Sequence, residues 1–267
     1  MSVLGLEADL ELACAAAVAA GELAMSHFGA GRASWYKGPG QVVTEADLAV
    51  DALLHDTLRH ARPGYGWLSE ERVDDRSRTR CARTWVVDPI DGTRAFAEGV
   101  PQFAISVALV ERGAPLLGVV LNPATAERFE ASRGGGAWLN GLRLEVSSCT
   151  DLAGAALLSS RTEMKRRHWP DMIPEAAFTT IGSLAYKLAL IAAGRFDGLV
   201  SLRASHDWDI AAAQLLVSEA GGRLTDAAGR TIALNQETPR HAGLAVAGTE
   251  RLHDALLARL ETAAAAH

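Results

Sequence analysis

Two aspartates, Asp88 and Asp91, stand three residues apart across a proline in the stretch WVVDPIDGT, Trp85 to Thr93. Ionised carboxylates are hard oxygen donors of the kind that a divalent cation such as Mg2+ prefers. Gly92 follows at once and permits a tight turn, so N–H groups opening a helix there can face the same space as the carboxylates. Oxygen donors for a cation beside N–H donors for an anion point to a metal-bound phosphate. Glu70 and Asp209 fall, like this pair, where a predicted strand ends or a predicted helix begins, which is where ligands gather in α/β folds. A two-metal hydrolytic site needs carboxylates from several segments bridging cations ~3.5–4 Å apart, and these four residues suit it.

Spacing removes two competitors. A haloacid-dehalogenase-type phosphatase places its two aspartates two residues apart, one as nucleophile and one as acid, and the interval across Pro89 fails that pattern. A calcium-binding loop of the EF-hand kind needs oxygen ligands at alternate positions, and Arg94 to Ala97 supplies none. Thr44 and Asp47 have the spacing of a helix N-cap and its partner in the first turn, a reading that competes evenly with a catalytic one. Lys37, in a glycine-rich stretch, reads by itself as a solvated lysine.

The elements that must position these residues are legible in outline. An alanine-rich helix over 6–28 is followed by a loop at Lys37–Gly40, a short extended piece at Val42-Val43, and a helix from Thr44. That second helix carries Val50, Leu53, Leu54, Thr57 and Leu58 on one face. Tyr65–Leu68 is a predicted strand, and Trp85–Val87 is the end of another, which Pro89 stops because it has no N–H to donate. Strands at Phe103–Val110, Leu116–Leu121 and Arg128–Ala131 follow at hairpin spacing, with turns at Glu111–Gly113, Asn122-Pro123, Gly134–Gly136 and Asn140-Gly141. Beyond Leu152 strands and helices alternate: strand 155–158, basic helix 161–169, strand 178–181, helix 184–193, strand 199–202, and a helix after Asp209 capped by Gly221-Gly222. Two short strands and a helix over 250–262 complete the chain. The pattern is α/β, or α+β by some schemes, with a β-meander in the middle. One domain is expected, with sub-regions at about 1–150 and about 151–267.

Composition limits the function. In 267 residues, Lys plus Arg is 26 and Asp plus Glu is 32, a net charge of −6, which argues against a nucleic-acid surface. The three cysteines Cys14, Cys81 and Cys149 are too far apart for a zinc pattern or a disulfide framework, so a reducing, cytoplasmic setting is expected. No apolar run approaches the ~20 residues of a membrane span, and the acidic N-terminus does not read as a signal peptide.

Taken together, DPIDGT (Asp88–Thr93), Glu70-Glu71, Thr44-x-x-Asp47 and Trp208-Asp209 resemble the inositol monophosphatase family of Mg2+-dependent, lithium-sensitive phosphatases. Gly134–Gly141 matches that family's G-x-G-A-x-x-N-G turn, and the motifs stand in family order between about Lys37 and Gly222. The resemblance implies a layered α-β-α-β-α sandwich of the inositol monophosphatase and fructose-1,6-bisphosphatase type, commonly a homodimer. It implies a first Mg2+ on Glu70, Asp88 and the Ile90 carbonyl, a second on Asp88, Asp91 and Asp209, and a weaker third at Glu70. Thr93 and Asp47 would orient the attacking water, making Asp47, Thr93 and Glu70 the catalytic set, and the N–H groups of Gly92 and Thr93 would bind phosphate.

Substrate choice is less sharply written. The glutamate that contacts inositol in animal members falls here at Leu202, and W-D-x-A-A-G ends in Ala213 instead of glycine. Lys37, Gly182, Ser183, Leu202, Arg203 and His206 are the expected substrate rim. An inositol phosphate is the first expectation. Bisphosphonucleotides, whose second phosphate Arg161, Lys187, Arg203 or the Lys165–Arg167 run would meet, and histidinol phosphate are the alternatives. A regulatory, partner-binding role is the alternative of another class.

Overall fold

A computed structural model gives the fold for residues 3–29, 34–38, 41–167 and 169–265. The side chains of 3–5, 34–38, 41–42, 167 and 263–265 are outside the described set, and the Lys37 side chain is among them.

Helix α1 (Val3–His27) buries Ala13, Ala16, Ala17, Ala20 and Ala24 along one stripe. Side chains this small let a helix lie close on its neighbours. Strands β1 (Ser34–Gly38) and β2 (Gln41–Thr44) form an antiparallel hairpin. The expected loop at Lys37–Gly40 is therefore partly strand: Gly38 pairs with Gln41 of β2, Lys37 falls at an irregularity in the pairing, and Pro39 and Gly40 lie outside the described residues. Helix α2 (Glu45–Ala61) buries Val50, Leu54 and Leu58, but Thr57 is exposed, at the margin of the apolar stripe.

Seven strands build the larger sheet, in chain order: β3 (Gly66–Ser69), β4 (Arg83–Asp91), β5 (Ala104–Glu111), β6 (Ala114–Asn122), β7 (Glu127–Ser132), β8 (Gly136–Leu139) and β9 (Leu142–Arg143). All neighbours are antiparallel except β3 and β4, which run parallel at the edge. Pro89 does not stop β4. The strand continues to Asp91 by a bulge, because Asp88 pairs with Ser106 and Asp91 with Ala104, three steps against two. A bulge leaves its extra residues out of the ladder, which is where a proline within a strand is tolerated. Helix α3 (Thr93–Ala97) starts directly after Gly92.

The second sheet has the order β11-β10-β12-β14-β13. Strand β10 (Ala156–Ser159) leads to α4 (Arg161–Arg167) and α5 (Trp169–Met172). One helix was expected over 161–169; the described residues are helical over 161–167 and 169–172, and residue 168 lies outside the described set. Strand β11 (Ala177–Thr180) and helix α6 (Leu184–Ala192) follow. Strand β12 (Gly198–His206) extends four residues past Leu202, because β14 (Arg240–Ala247) pairs with it as far as His206↔Arg240. Helix α7 (Asp207–Glu219), strand β13 (Arg223–Asp226) and helix α8 (Glu250–Ala265) complete the fold.

These elements stack as helix, sheet, helix, sheet, helix. One core joins α1 and α2 to the outer face of the seven-stranded sheet. A second holds α6 and α7 between the sheets and takes in residues of both, from Leu68 and Val86 to Leu244 and Val246. The third lies under α8. Gly118 of β6 decides how closely α7 packs: a Cβ there would stand 2.5 Å from the Ala212 carbonyl oxygen and 2.7 Å from its Cα. Glu219, at the end of α7, accepts hydrogen bonds from the N–H groups of Gly134 (2.8 Å) and Gly136 (2.9 Å), tying the glycine turn to the helix.

Candidate metal centre

Carboxylates from two elements converge. Ligand atoms of Asp88, Asp91 and Asp209 all lie within 4.8 Å of one another. Asp88 and Asp91 belong to β4 and Asp209 to the first turn of α7, more than a hundred residues later. On a regular strand residues three apart face opposite sides; the extra residue of the bulge turns Asp91 back to the side of Asp88. Glu70 stands outside that close trio. The parallel register Ser69↔Val87 runs on to place it beside Asp88, where its charge acts on the Asp88 carboxyl.

Burial and mutual repulsion govern the protonation of the cluster. Asp88 is 1% exposed, and burial together with Glu70, Asp91 and Asp209 holds its carboxyl well above the usual range. One of its oxygens, Oδ1, accepts the Ile90 N–H at 3.1 Å; Oδ2 is buried and has no hydrogen-bond partner among the described residues. Asp91 is pushed up to about 6 by burial and by Asp209, against hydrogen bonds that favour its ionised form. Those bonds come from the Ser183 hydroxyl and the Ala185 N–H, both 2.6 Å from Asp91 Oδ2. Uncompensated buried carboxylates are costly, and an orphaned oxygen at their meeting point fits a bound cation. The all-oxygen donor set suits Mg2+.

Asp47 and Thr93 stand next to the cluster. The Thr93 hydroxyl lies 3.0 Å from both Asp47 Oδ1 and the Ile90 carbonyl oxygen. The second Asp47 oxygen accepts from the Thr44 N–H (2.7 Å) and hydroxyl (2.5 Å), and the Asp47 N–H closes a capping box on Thr44. Capping and contact with Thr93 thus coexist in one side chain. Burial raises the Asp47 carboxyl, opposed by hydrogen bonds from Thr44 and Thr93. Gly92 has φ 95°, and a Cβ on it would meet the Gln102 carbonyl oxygen at 2.8 Å, so the turn that presents Thr93 requires glycine.

This chain matches the model of the inositol monophosphatase family over residues 6–265. It is 40% identical over 228 residues to an inositol-1-monophosphatase of Rhizobium meliloti, covering 82% of this chain and 83% of that one. The chain belongs to the inositol monophosphatase family. A histidinol-phosphatase of Mycobacterium tuberculosis is also 40% identical, over 263 residues, covering 94% of this chain and 97% of that one. The solved structure of an inositol monophosphatase from Thermotoga maritima superposes with a TM-score of 0.86 at 31% identity, covering 96% and 97% of the two chains. The layered sandwich is thus the fold of the family.

Within this member, the residues expected at the substrate rim fall in different places. His206 does flank the cluster: its N–H donates to Asp209 Oδ2 at 2.6 Å, and its ring stacks on Trp208 at 4.6 Å. Arg203 is exposed on β12. Ser183 is fully buried under Asp91 as the N-cap of α6, not at a rim, and Gly182 packs against Gln102 and Ala95. The Leu202 side chain is partly buried and packs against the core under α8, and its N–H donates to Glu163.

Sequence reasoning did not single out Glu163. The residue is buried, and its carboxylate accepts from the Ser201 hydroxyl and the Leu202 N–H, each at 2.8 Å. Its only signal was an acid standing alone in the basic run Arg161–Arg167. Lys187 on α6 is 4% exposed; burial lowers its ammonium to about 8, against the pull of Asp91, Glu163 and Asp209.

Proposed function

We propose that this chain is a Mg2+-dependent phosphomonoesterase acting on a small phosphate monoester, with an inositol phosphate as the first substrate. The observation that carries the reading is the convergence of Asp88, Asp91 and Asp209 within 4.8 Å, beside the Thr93–Asp47 pair, in a chain of this family. In this reading one Mg2+ would be held by Glu70, Asp88 and the Ile90 carbonyl, and a second by Asp88, Asp91 and Asp209, with a third, weaker ion at Glu70. Bound Mg2+ supplies Lewis acidity to the attacking water and to the phosphoryl oxygens.

The chain's own groups do the rest. Asp47 accepts a hydrogen bond from the Thr93 hydroxyl, which leaves a lone pair on Thr93 Oγ1 to accept a hydrogen bond from the attacking water and aim it. Gly92 and Thr93 open α3, where first-turn N–H groups have no partner within the helix and can receive phosphate oxygens. His206 and Arg203 face the leaving group, with Lys37 as a further rim residue. The homodimeric state common in the family and a cytoplasmic location belong to the same reading. No described helix is long and apolar enough to cross a membrane.

A second reading, histidinol phosphate as substrate, is favoured by the histidinol-phosphatase match, which extends over 94% of this chain against 82% for the inositol-1-monophosphatase. The position of Leu202, which offers no carboxylate to a polyol, points the same way. The test measures phosphate release from inositol 1-phosphate, adenosine 3′,5′-bisphosphate and histidinol phosphate, with Mg2+, with added Li+ and with a chelator. Mg2+-dependent turnover led by inositol 1-phosphate is expected. A preference for histidinol phosphate selects the second reading, and no metal-dependent turnover of any monoester sinks both. Asp209→Asn should lower kcat by more than about 100-fold with the fold retained, since even residues that only support metal ligands cost about 10–100-fold.

A further inference from the structure

Asp209 reaches the β4 aspartates from a distant part of the chain, and no strand pairing holds it there; beside it, the Ser106 hydroxyl of β5 donates to the Trp208 carbonyl at 3.3 Å. Like charges this close repel, so a metal-free cluster tends to drive α7 away from β4. A buried polar network opposes that movement. At its centre is Arg78, fully buried in the turn that follows β3 and packed against Gly66 at the start of that strand. Its guanidinium donates to both oxygens of Asp74, to the Gln236 carbonyl at 2.9 Å and to Asn235 Oδ1 at 2.6 Å.

Asn235 then branches in two directions. Its side-chain amide donates to Thr84 Oγ1 of β4 at 3.2 Å, and its backbone N–H donates to Asp207 Oδ2 at 2.6 Å. Asp207 is the first residue of α7, fully buried, and its other oxygen meets His241 Nε2 of β14 at 2.6 Å. One continuous chain of contacts therefore joins β3, which leads to Glu70, β4, which carries Asp88 and Asp91, and the α7 turn that carries Asp209. A buried arginine and a buried aspartate are expensive to keep unless fully bonded. Here every guanidinium nitrogen of Arg78 and both oxygens of Asp207 have a partner, and they sit between the segments the site must bring together.

We infer that the Arg78–Asn235–Asp207–His241 network is a positioning device that holds the α7 turn against β3 and β4, and so sets the affinity of the carboxylate cluster for Mg2+. The inference rests on the metal reading of the cluster. None of the four residues is placed on substrate or metal, so its effect falls on metal affinity and not on turnover by the loaded enzyme.

The test is calorimetric titration of Mg2+ into full-length protein stripped of metal. Asn235 adopts φ 56°, so Asn235→Gly keeps the backbone conformation and the N–H to Asp207 while removing the links to Arg78 and Thr84. His241→Ala removes the other contact of Asp207, and His241→Gln restores a donor at the same reach. Asn235→Gly and His241→Ala should weaken Mg2+ binding about tenfold, the scale of losses on removing groups that orient metal ligands, with kcat at saturating Mg2+ within about twofold of native. His241→Gln should recover most of that loss. Native Mg2+ affinity in either disruptive variant, even with a lowered Tm, overturns the inference by making the network structural only. So does His241→Gln binding no better than His241→Ala, or kcat lost at saturating metal. Native protein that binds no Mg2+ overturns the metal reading, and this inference with it.

Discussion

Asp91 holds two opposed influences in one side chain. Burial and Asp209 disfavour its charge, while Ser183 and Ala185 donate hydrogen bonds that favour it, and the balance leaves it at about 6. An unfolded aspartate titrates near ~3.9, so between these values the native metal-free protein binds the extra proton. Stability therefore falls as pH rises from about 4 through about 6 and stays lost above it. In Asp91→Asn that contribution is absent. Urea denaturation in the presence of a chelator should show the variant gaining on the native protein over this interval. A variant whose difference from native does not change with pH would refute the assignment. Metal reverses the sign, because protons and Mg2+ compete for the same oxygens, so Mg2+ affinity should fall as pH drops through about 6. The two roles of Asp47 belong to this scale too: the capping box was visible in Thr44-x-x-Asp47, but the contact with Thr93 joins residues forty-six apart and needed the fold.

Among the elements, the bulge in β4 and the packing of α7 decide the site. Asp88 and Asp91 are legible as a pair from their types alone. Their spacing is wrong for one face of a regular strand, and it works because Pro89-Ile90 form an extra step that the pairing with β5 absorbs. The strand was readable from its apolar residues; its continuation through a proline was not, since only the partner strand reveals which N–H the ladder does without. Helix α7 delivers Asp209 to the same point, and it can lie that low because Gly118 has no side chain. Gly118→Ala should push α7 off the sheet, with overpacking costing about 1–3 kcal/mol. Chemical denaturation reads that loss, and kcat/KM at limiting Mg2+ should fall with it as Asp209 moves. A variant as stable and active as native would show that α7 is not held at this contact.

At the scale of the whole molecule, the core shared by α6, α7 and both sheets is built from apolar side chains, so the fold is expected to stand without metal. On the proposed reading, Mg2+ would act as a ligand of an already folded protein. At about 100 times its Kd it should add about 2.7 kcal/mol, raising Tm by roughly 5–10 °C in a chain of this size. Differential scanning calorimetry with Mg2+ and with chelator measures the shift. Unfolding on metal removal would show that the cluster is structural instead.

By itself the sequence pointed to the reaction chemistry: paired carboxylates and a glycine turn are local features, and residue type with short spacing is what suggests a hard-cation site. It also gave the longer strands and helices in order, because apolar periodicity is local, but not the short strands β1, β8 and β9. The tertiary structure alone decided which of those residues meet. Ser183 lies under Asp91, Leu202 packs against the core, Glu163 comes to β12 from a basic helix, and Arg78 joins segments separated by more than a hundred residues. Such contacts are set by strand register, by a bulge and by the close approach of a helix to a sheet, none of which leaves a period or a motif in the chain.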